Sequence, residues 1–161
     1  MRILFVCSGN TCRSPMAQAL LRKALTQDRG TGLQEVEVWS AGLWAVPGQP
    51  ASPEALKAMK SHGIDISQHR TRVLEASLVQ EADLILAMTG SQSRQLKDLY
   101  PQKGSRIFTL TEFAGNGSID VVDPYGAGVK VYMGTAEQLK DLIEEVVERL
   151  RLQKMAMGEQ I

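Results

Sequence analysis

Four short apolar runs alternate with segments of helical periodicity along the 161-residue chain, and this alternation is the feature that most constrains its fold. The first run, Arg2 to Cys7, is apolar at almost every position, which is typical of a strand buried on both faces. The other three predicted strands are residues 35–42, 83–88 and 106–110. Strands that alternate with helices form a parallel sheet covered on both sides. The pattern therefore predicts an α/β protein, a three-layer αβα sandwich with a four-stranded parallel sheet flanked by helices.

Helix signals occur between these runs. Ser14 with Pro15, and Ser52 with Pro53, have the pattern of an N-cap followed by proline at the first helical position. Apolar residues recur at helical spacing after Pro15, so this helix should bury one face against the sheet. Further helices are expected over residues 75–81 and 91–100.

The last third of the chain combines an irregular segment with a strong helix signal. Residues 111 to about 130 are predicted to be irregular. Thr135 and Gln138 then have the spacing of a capping box, and apolar residues recur at helical intervals up to Leu150. The tail after about residue 154 is expected to fray. Since no linker, repeat or low-complexity tract is present, residues 1–161 are predicted to form a single domain.

Charge and hydropathy exclude several classes of partner. Lys and Arg together number 18, as do Asp and Glu, so the formal net charge is zero. A nucleic-acid or acidic-membrane partner usually requires net basic charge or a basic run, and neither is present. The N-terminal apolar run is too short for a signal peptide, and no run approaches the roughly 18 residues of a membrane helix. We therefore expect a cytoplasmic protein, and the neutral charge balance favours a monomer.

The loop between the first strand and the first helix contains the most specific signal. Cys7 ends the strand, and Arg13 follows six residues later. Gly9 and Asn10 tolerate the positive φ that a sharp turn requires, and such a turn directs successive N–H groups inward as an anion-binding nest. The helix N-terminus and the planar guanidinium of Arg13 suit phosphate oxygens. The predicted phosphate-binding residues are Ser8, Gly9, Asn10, Thr11, Cys12, Arg13 and Ser14.

A thiol at the floor of such a loop indicates nucleophilic catalysis. The helix N-terminus and Arg13 favour the thiolate of Cys7, which could attack phosphorus and form a phosphocysteine, while Ser14 could donate a hydrogen bond to the sulfur. The Gly-Lys-Ser/Thr ending of a nucleotide P-loop is absent, and two cysteines without a nearby histidine are too few for zinc. No metal and no cofactor are therefore expected. The alternative is a strand–turn–helix with a buried structural cysteine.

The stretch VCSGNTCRSPMA resembles the signature of the low-molecular-weight protein tyrosine phosphatase family. The resemblance extends over essentially the whole chain, through the segments SAG (40–42), HGID (62–65), ADLILAM (82–88) and DPYG (123–126). It implies the low-molecular-weight phosphatase fold and a metal-independent phosphatase with Cys7 and Arg13 as catalytic residues. It also implies phosphorylated protein substrates, with inorganic phosphate as product and inhibitor.

A carboxylic acid on the irregular segment could protonate a leaving group and then activate water. The segment offers Asp120 and Asp123, and an ordinary Asp-Pro turn at Asp123 is the alternative. The match of DPYG to the family's acid loop implies that Asp123 is the general acid and base and that Tyr125 forms a wall of the pocket. Asp120 is interpreted as solvated or supporting. Trp44 is expected either to form a second wall or to pack in the core.

Supporting roles follow from the same resemblance. Asn10 and Ser40 correspond to a pair that braces the phosphate-binding loop, together with Ser14. His69 is close to the position of a supporting histidine, but the spacing departs from the family pattern and its role is left unassigned.

Thr11 bears on the substrate. Most of the family has an aliphatic residue at this position, whereas threonine resembles the protein arginine phosphatase branch. A hydroxyl at Thr11, with Asp123 and Tyr125, would suit the planar, polar phosphoguanidinium group, while a phenol ring would prefer apolar walls. Protein phosphoarginine is therefore the predicted substrate. The alternative is phosphotyrosine, with Thr11 a neutral replacement.

Cys12 leaves two interpretations open and bears on the remaining function classes. Peroxide could oxidise Cys7, with Cys12 trapping it as a reversible disulfide, or Cys12 could simply pack in the loop. Arsenate reductases of the same fold require further cysteines, which this chain lacks. A phosphate-binding module without activity would require neither the thiol nor an acid, so the presence of Cys7 and Asp123 argues against such a module.

Overall fold

A computed structural model describes residues 1–158, and a four-stranded parallel sheet lies at its centre. The strands are β1 (Arg2–Cys7), β2 (Glu37–Gly42), β3 (Leu84–Ala87) and β4 (Ile107–Thr109). Their order is β2-β1-β3-β4, with Cys7 opposite Gly42 and Val6 opposite Ala87. The predicted parallel sheet is confirmed, although β2, β3 and β4 are shorter than the sequence indicates.

Helices cover both faces of this sheet. They are α1 (Arg13–Gln27), α2 (Pro53–Ser61), α3 (Ala76–Glu81), α4 (Gly90–Leu99), α5 (Leu110–Phe113) and α6 (Val129–Gly158), with 3-10 turns at Leu33–Glu35 and Pro101–Arg106. Buried residues of α1, α2, α5 and α6 form one apolar cluster, and those of α3 and α4 form the other. The three-layer αβα sandwich is therefore confirmed.

The alternation of side chains along β1 determines where the cysteine lies. Ile3, Phe5 and Cys7 belong to the cluster with α1 and α6, whereas Leu4 and Val6 belong to the opposite cluster. Successive side chains of a strand point to opposite faces, so a strand buried on both faces is apolar throughout. This register places the Cys7 thiol on the face that α1 covers, at the carboxyl end of the strand.

The helix starts follow the sequence signals only in part. Ser52 caps α2 as predicted, since its hydroxyl accepts from the N–H of Ala55 at 3.2 Å. Ser14 does not cap α1, which already begins at Arg13. Likewise, α4 begins at Gly90 rather than at Ser91, and Thr89 caps it through a capping box with Gln92.

The last helix differs most from the expectation. It begins at Val129, six residues before Thr135, and Thr135 is buried with its hydroxyl donating to the carbonyl of Val131 at 3.0 Å. The capping-box spacing therefore occurs inside a helix. The helix continues to Gly158, past the start of the predicted fraying, and residues 159–161 of that tail lie outside the described residues. None of the helices within residues 1–158 combines the length and the apolar character that crossing a bilayer requires.

Candidate active site

The Cys7 loop lies at the point where the chain changes direction across the sheet. The connection from β1 leads to β2 on one side, and β3 then pairs with the other side of β1. Ligands of open α/β sheets bind beyond the carboxyl ends of the strands at such a switch point. Cys7 is the last residue of β1 and Arg13 the first of α1, so the loop between them occupies this position.

The backbone of the loop turns at Asn10. Its φ is 58°, the only positive φ of a non-glycine residue in the described chain, whereas Gly9 does not have the positive φ expected from the sequence. Asparagine accepts this conformation because its short amide can bond locally. Gly42 packs directly beneath the turn, since a Cβ there would lie 2.7 Å from the Ser8 carbonyl oxygen and 2.9 Å from the Asn10 nitrogen. The glycine of the SAG segment is thus required for close approach of β2 to the loop.

The buried side chain of Asn10 connects the loop to three other segments. Its Nδ2 donates to Ser14 Oγ at 2.8 Å and to Ser40 Oγ at 3.0 Å, and its Oδ1 accepts from the N–H of Arg72 at 2.9 Å. Ser40 in turn donates to Gln18 Oε1 at 2.7 Å. The structure thus brings Asn10 and Ser40 together, as the resemblance implies.

This network leaves the Ser14 hydroxyl able to donate to the Cys7 sulfur. A serine hydroxyl has one proton, and both N–H groups of the Asn10 amide are used as donors. Because Ser14 Oγ accepts from Asn10, its own proton is free to donate to Cys7 Sγ, 2.9 Å away. The N–H of Asn10 also points at the sulfur, at 3.3 Å. Two donors directed at one sulfur, beside the N-terminus of α1, stabilise a thiolate.

Two further side chains hold the loop, and of these the sequence analysis left His69 unassigned and missed Gln92. His69 Nε2 lies 2.8 Å from the Asn10 carbonyl oxygen, and Gln92 Nε2 donates to Ser8 Oγ at 3.1 Å. Burial lowers the pKa of His69, which favours the neutral imidazole with its proton on Nε2. Both residues are distant from the loop in sequence, and neither lies in one of the segments that resemble the family.

Arg13 reaches from the loop to the segment that carries Asp123. The guanidinium is buried, with Nη1 donating to the Val121 carbonyl at 3.3 Å and Nη2 lying 3.3 Å from Asp123 Oδ2. The Asp123 side chain is 54% exposed, and its Oδ1 accepts from the N–H of Tyr125 at 3.1 Å. A buried cation thus faces an exposed carboxylate across the mouth of the site.

These groups surround one cavity of about 240 Å³. Its lining combines polar side chains with two thiols, a glycine and one aromatic ring, and the lining residues are Cys7, Ser8, Gly9, Asn10, Thr11, Cys12, Arg13, Asp123 and Tyr125. Tyr125 is 78% exposed, at the rim. Trp44 is absent from the lining and is 72% exposed, so it neither forms a wall of this cavity nor packs in the core. Its backbone is hydrogen-bonded to the loop, since the Trp44 N–H donates to the Ser8 carbonyl at 2.9 Å.

The second cysteine points toward α6. Cys12 Sγ lies 3.2 Å from Tyr132 Oη and 3.6 Å from Ser52 Oγ, and both cysteines are free thiols. Burial, with a smaller contribution from the bond to Cys12, raises the pKa of Tyr132 to about 12. The phenol therefore stays protonated and can donate to the sulfur. This contact accounts for Cys12 as a packing residue, and the disulfide with Cys7 stays a prediction.

The arrangement can bind a tetrahedral anion against a nucleophile. The cavity has a group for each step of acyl or phosphoryl transfer: a thiol, a buried guanidinium, a helix N-terminus and an exposed carboxylate. The planar fork of Arg13 and the loop amides favour phosphate oxygens over a carbonyl oxygen.

Comparison with known proteins gives the same chemistry. The family model described as low molecular weight phosphotyrosine protein phosphatase matches residues 2–156. A probable low molecular weight protein-tyrosine-phosphatase from Ralstonia nicotianae is 42% identical over 149 residues, which are 92% of this chain and 95% of that protein. The solved arginine phosphatase from Geobacillus stearothermophilus has a TM-score of 0.87 at 37% identity, covering 96% of each chain. A low molecular weight protein tyrosine phosphatase from T. tengcongensis has a TM-score of 0.85 at 45% identity, covering 92% of this chain and 99% of its own.

Proposed function

Because the chain belongs to the low molecular weight phosphotyrosine protein phosphatase family, it is a protein phosphatase, and we propose that phosphoarginine is its preferred substrate. The observation that carries the proposed chemistry is the convergence of Cys7, Arg13 and Asp123 on one cavity, with Arg13 Nη2 3.3 Å from Asp123 Oδ2. The observation that favours phosphoarginine is the presence of Thr11 together with Asp123 in the cavity lining.

In the first step, Arg13 and the amides of residues 8–13 hold the phosphoryl oxygens. The Cys7 thiolate attacks phosphorus in line, so that the S–P bond forms as the P–N or P–O bond breaks. Asp123 gives its proton to the departing nitrogen or oxygen. The charge that builds on the phosphoryl oxygens is stabilised by Arg13 and the backbone N–H groups.

In the second step, the same Asp123, now ionised, removes a proton from water as the water attacks the phosphocysteine. The S–P bond breaks, and Cys7 departs as a thiolate. The donors from Ser14 and Asn10 stabilise this leaving thiolate, at 2.9 and 3.3 Å from the sulfur. Inorganic phosphate is the product, and since it fits the same cradle we expect it to inhibit.

The cavity lining supports phosphoarginine over phosphotyrosine. A phosphoguanidinium group is planar and rich in N–H donors, and the Thr11 hydroxyl and the Asp123 carboxylate both lie in the lining as acceptors. Tyr125 supplies one aromatic face, on which a guanidinium can stack. A second aromatic wall is missing, because Trp44 lies outside the lining.

Phosphotyrosine is the second candidate. The tyrosine phosphatase relatives reported above are 42% and 45% identical to this chain, compared with 37% for the arginine phosphatase. Overall identity, however, reflects the whole fold, whereas substrate choice depends on a few residues of the site.

The deciding experiment compares kcat/KM on matched phosphoarginine and phosphotyrosine peptides, at neutral pH and in the presence of a chelator. We expect a preference for phosphoarginine of about a hundredfold, which corresponds to about 2.7 kcal/mol of discrimination between transition states. Thr11→Ile should reduce this preference while the enzyme keeps its turnover of p-nitrophenyl phosphate. A preference for phosphotyrosine would refute the substrate assignment and leave the chemistry standing.

A further inference from the structure

We propose that Asp120 is a positioning residue that holds the loop carrying Asp123, so that its carboxylate controls how effectively Asp123 protonates the leaving group. The inference rests on the acid role of Asp123 under the proposed function. The sequence indicates only a solvated or supporting carboxylate at Asp120, whereas the structure gives it a specific contact.

That contact is with the N-terminus of α4. Asp120 Oδ1 accepts from the N–H of Gly90, the first residue of the helix, at 2.8 Å. The first N–H groups of a helix have no partner within the helix, and the partial positive charge there favours a carboxylate. Thr89 accepts from the N–H of Gln92 and leaves that of Gly90 to Asp120. Asp120 therefore completes the cap of α4 from 30 residues away.

The next residue fastens the same point of the loop. The N–H of Val121 donates to the Met88 carbonyl at 2.9 Å, directly after β3, and its carbonyl accepts from Arg13 Nη1 at 3.3 Å. The Val121 side chain is 1% exposed. Asp120 and Val121 thus connect the root of the loop to α4, to the end of β3 and to Arg13.

Beyond this anchor Pro124 is buried, whereas the carboxyl group of Asp123 is exposed and, within residues 1–158, accepts only from the N–H of Tyr125 besides its pair with Arg13. Val122, Asp123 and Tyr125 are exposed, and the pair between Arg13 and Asp123 joins a buried cation to a carboxylate that water can solvate. Exposed ion pairs contribute little to holding a segment in place. The position of the Asp123 carboxyl group therefore depends on the anchor three residues earlier together with the buried Pro124, and a small misplacement of an acid is costly in rate.

The experiment compares Asp120→Ala and Asp120→Asn on two substrates with different leaving groups. The p-nitrophenolate group departs readily, whereas phenyl phosphate releases a phenol of about the basicity of tyrosine (pKa about 10) and depends on the acid. For Asp120→Ala we expect kcat/KM to fall about tenfold on phenyl phosphate but only two- to threefold on p-nitrophenyl phosphate, with roughly unchanged inhibition by phosphate. Asp120→Asn should stay within about threefold of the parent on both substrates, because its amide oxygen can still accept from Gly90.

Asp98→Ala is the matched control. Asp98 is an exposed carboxylate on the same helix α4 and forms no ion pair or side-chain hydrogen bond within residues 1–158, so we expect its loss to leave both rates unchanged. Thermal unfolding of each variant checks that the fold is retained.

The Asp123→Ala background separates the inference from the function on which it rests. In the Asp123→Ala variant, adding Asp120→Ala should cause no further fall in kcat/KM on phenyl phosphate, because the acid that Asp120 positions is already gone. An equal loss by Asp120→Ala on both substrates, or an undiminished loss in the Asp123→Ala background, overturns the inference alone. If Asp123→Ala itself leaves phenyl phosphate turnover intact, the acid assignment fails and the inference fails with it.

Discussion

The hydrogen bond from Ser14 to the Cys7 sulfur gives the sharpest test of the proposed chemistry. Asn10 donates to Ser14 Oγ and leaves the Ser14 proton free, so when Cys7 is a thiolate, which can only accept, Ser14 donates to it across 2.9 Å between two buried residues. Ser14→Ala removes this donor, while the N–H of Asn10, at 3.3 Å, stays in place. The substitution therefore weakens the environment of the thiolate, while Arg13 and the backbone N–H groups of the loop stay available to phosphate.

The magnitude follows from the charge on the acceptor. A hydrogen bond to a charged group contributes about 1.5–3 kcal/mol. If that stabilisation is lost when Cys7 departs as a thiolate from the phosphocysteine, kcat should fall roughly 10- to 150-fold. Hydrolysis of the intermediate would then be the slow step, so p-nitrophenol should appear in a burst equal to the enzyme concentration.

Ser40→Ala is the matched control for this prediction. Ser40 is buried like Ser14 and accepts the other N–H of the same Asn10 amide, but it does not contact the sulfur. Each variant leaves one N–H of Asn10 unpaired, so both should lower the free energy of unfolding by about 1–3 kcal/mol. Only Ser14→Ala should show the large loss in kcat and the burst. If Ser40→Ala has the same effect on kcat, the bond to the sulfur has no special role and the reasoning is wrong.

Two other predictions concern the groups behind the loop. Burial lowers the pKa of His69 in the folded protein, so as the pH falls the unfolded chain is protonated at this residue first, at about pH 6.5. The stability that neutral His69 contributes is therefore present above that pH and is lost as the pH falls below it. Urea unfolding at pH 8 and pH 5.5 should show a smaller loss of stability for His69→Gln than for the parent, and equal losses would contradict this. Peroxide should oxidise Cys7 to a sulfenic acid. Once Cys12 leaves Tyr132, its thiol should attack the Cys7 sulfur, forming the disulfide and releasing water. Thiol reductant should therefore restore the activity of the parent enzyme far better than that of Cys12→Ser. Equal recovery of the two proteins would show that Cys12 only packs the loop.

Most of the fold could be predicted because its signals are local. The apolar run of Arg2–Cys7 indicates a strand buried on both faces, and the packing of β1 between two apolar clusters is the reason for that composition. The capping residues were less reliable. Ser14 has the sequence of an N-cap but turns toward Cys7, and Thr135 lies inside a helix that begins six residues earlier and buries Tyr132 against Cys12. Local propensity predicts where helices can start, and packing decides where they do.

The candidate site divides in the same way. The sequence by itself determined the strand, the turn at Asn10 and the spacing that places Cys7 and Arg13 around one loop, because these residues are neighbours along the chain and their geometry depends on local φ and ψ values. The tertiary structure alone decided that His69 and Gln92 hold this loop, that Trp44 lies outside the cavity, and that Asp120 caps a helix that starts 30 residues earlier. These contacts join segments that are far apart in sequence. Periodicity and spacing along one chain do not predict which distant side chains come into contact when the layers pack.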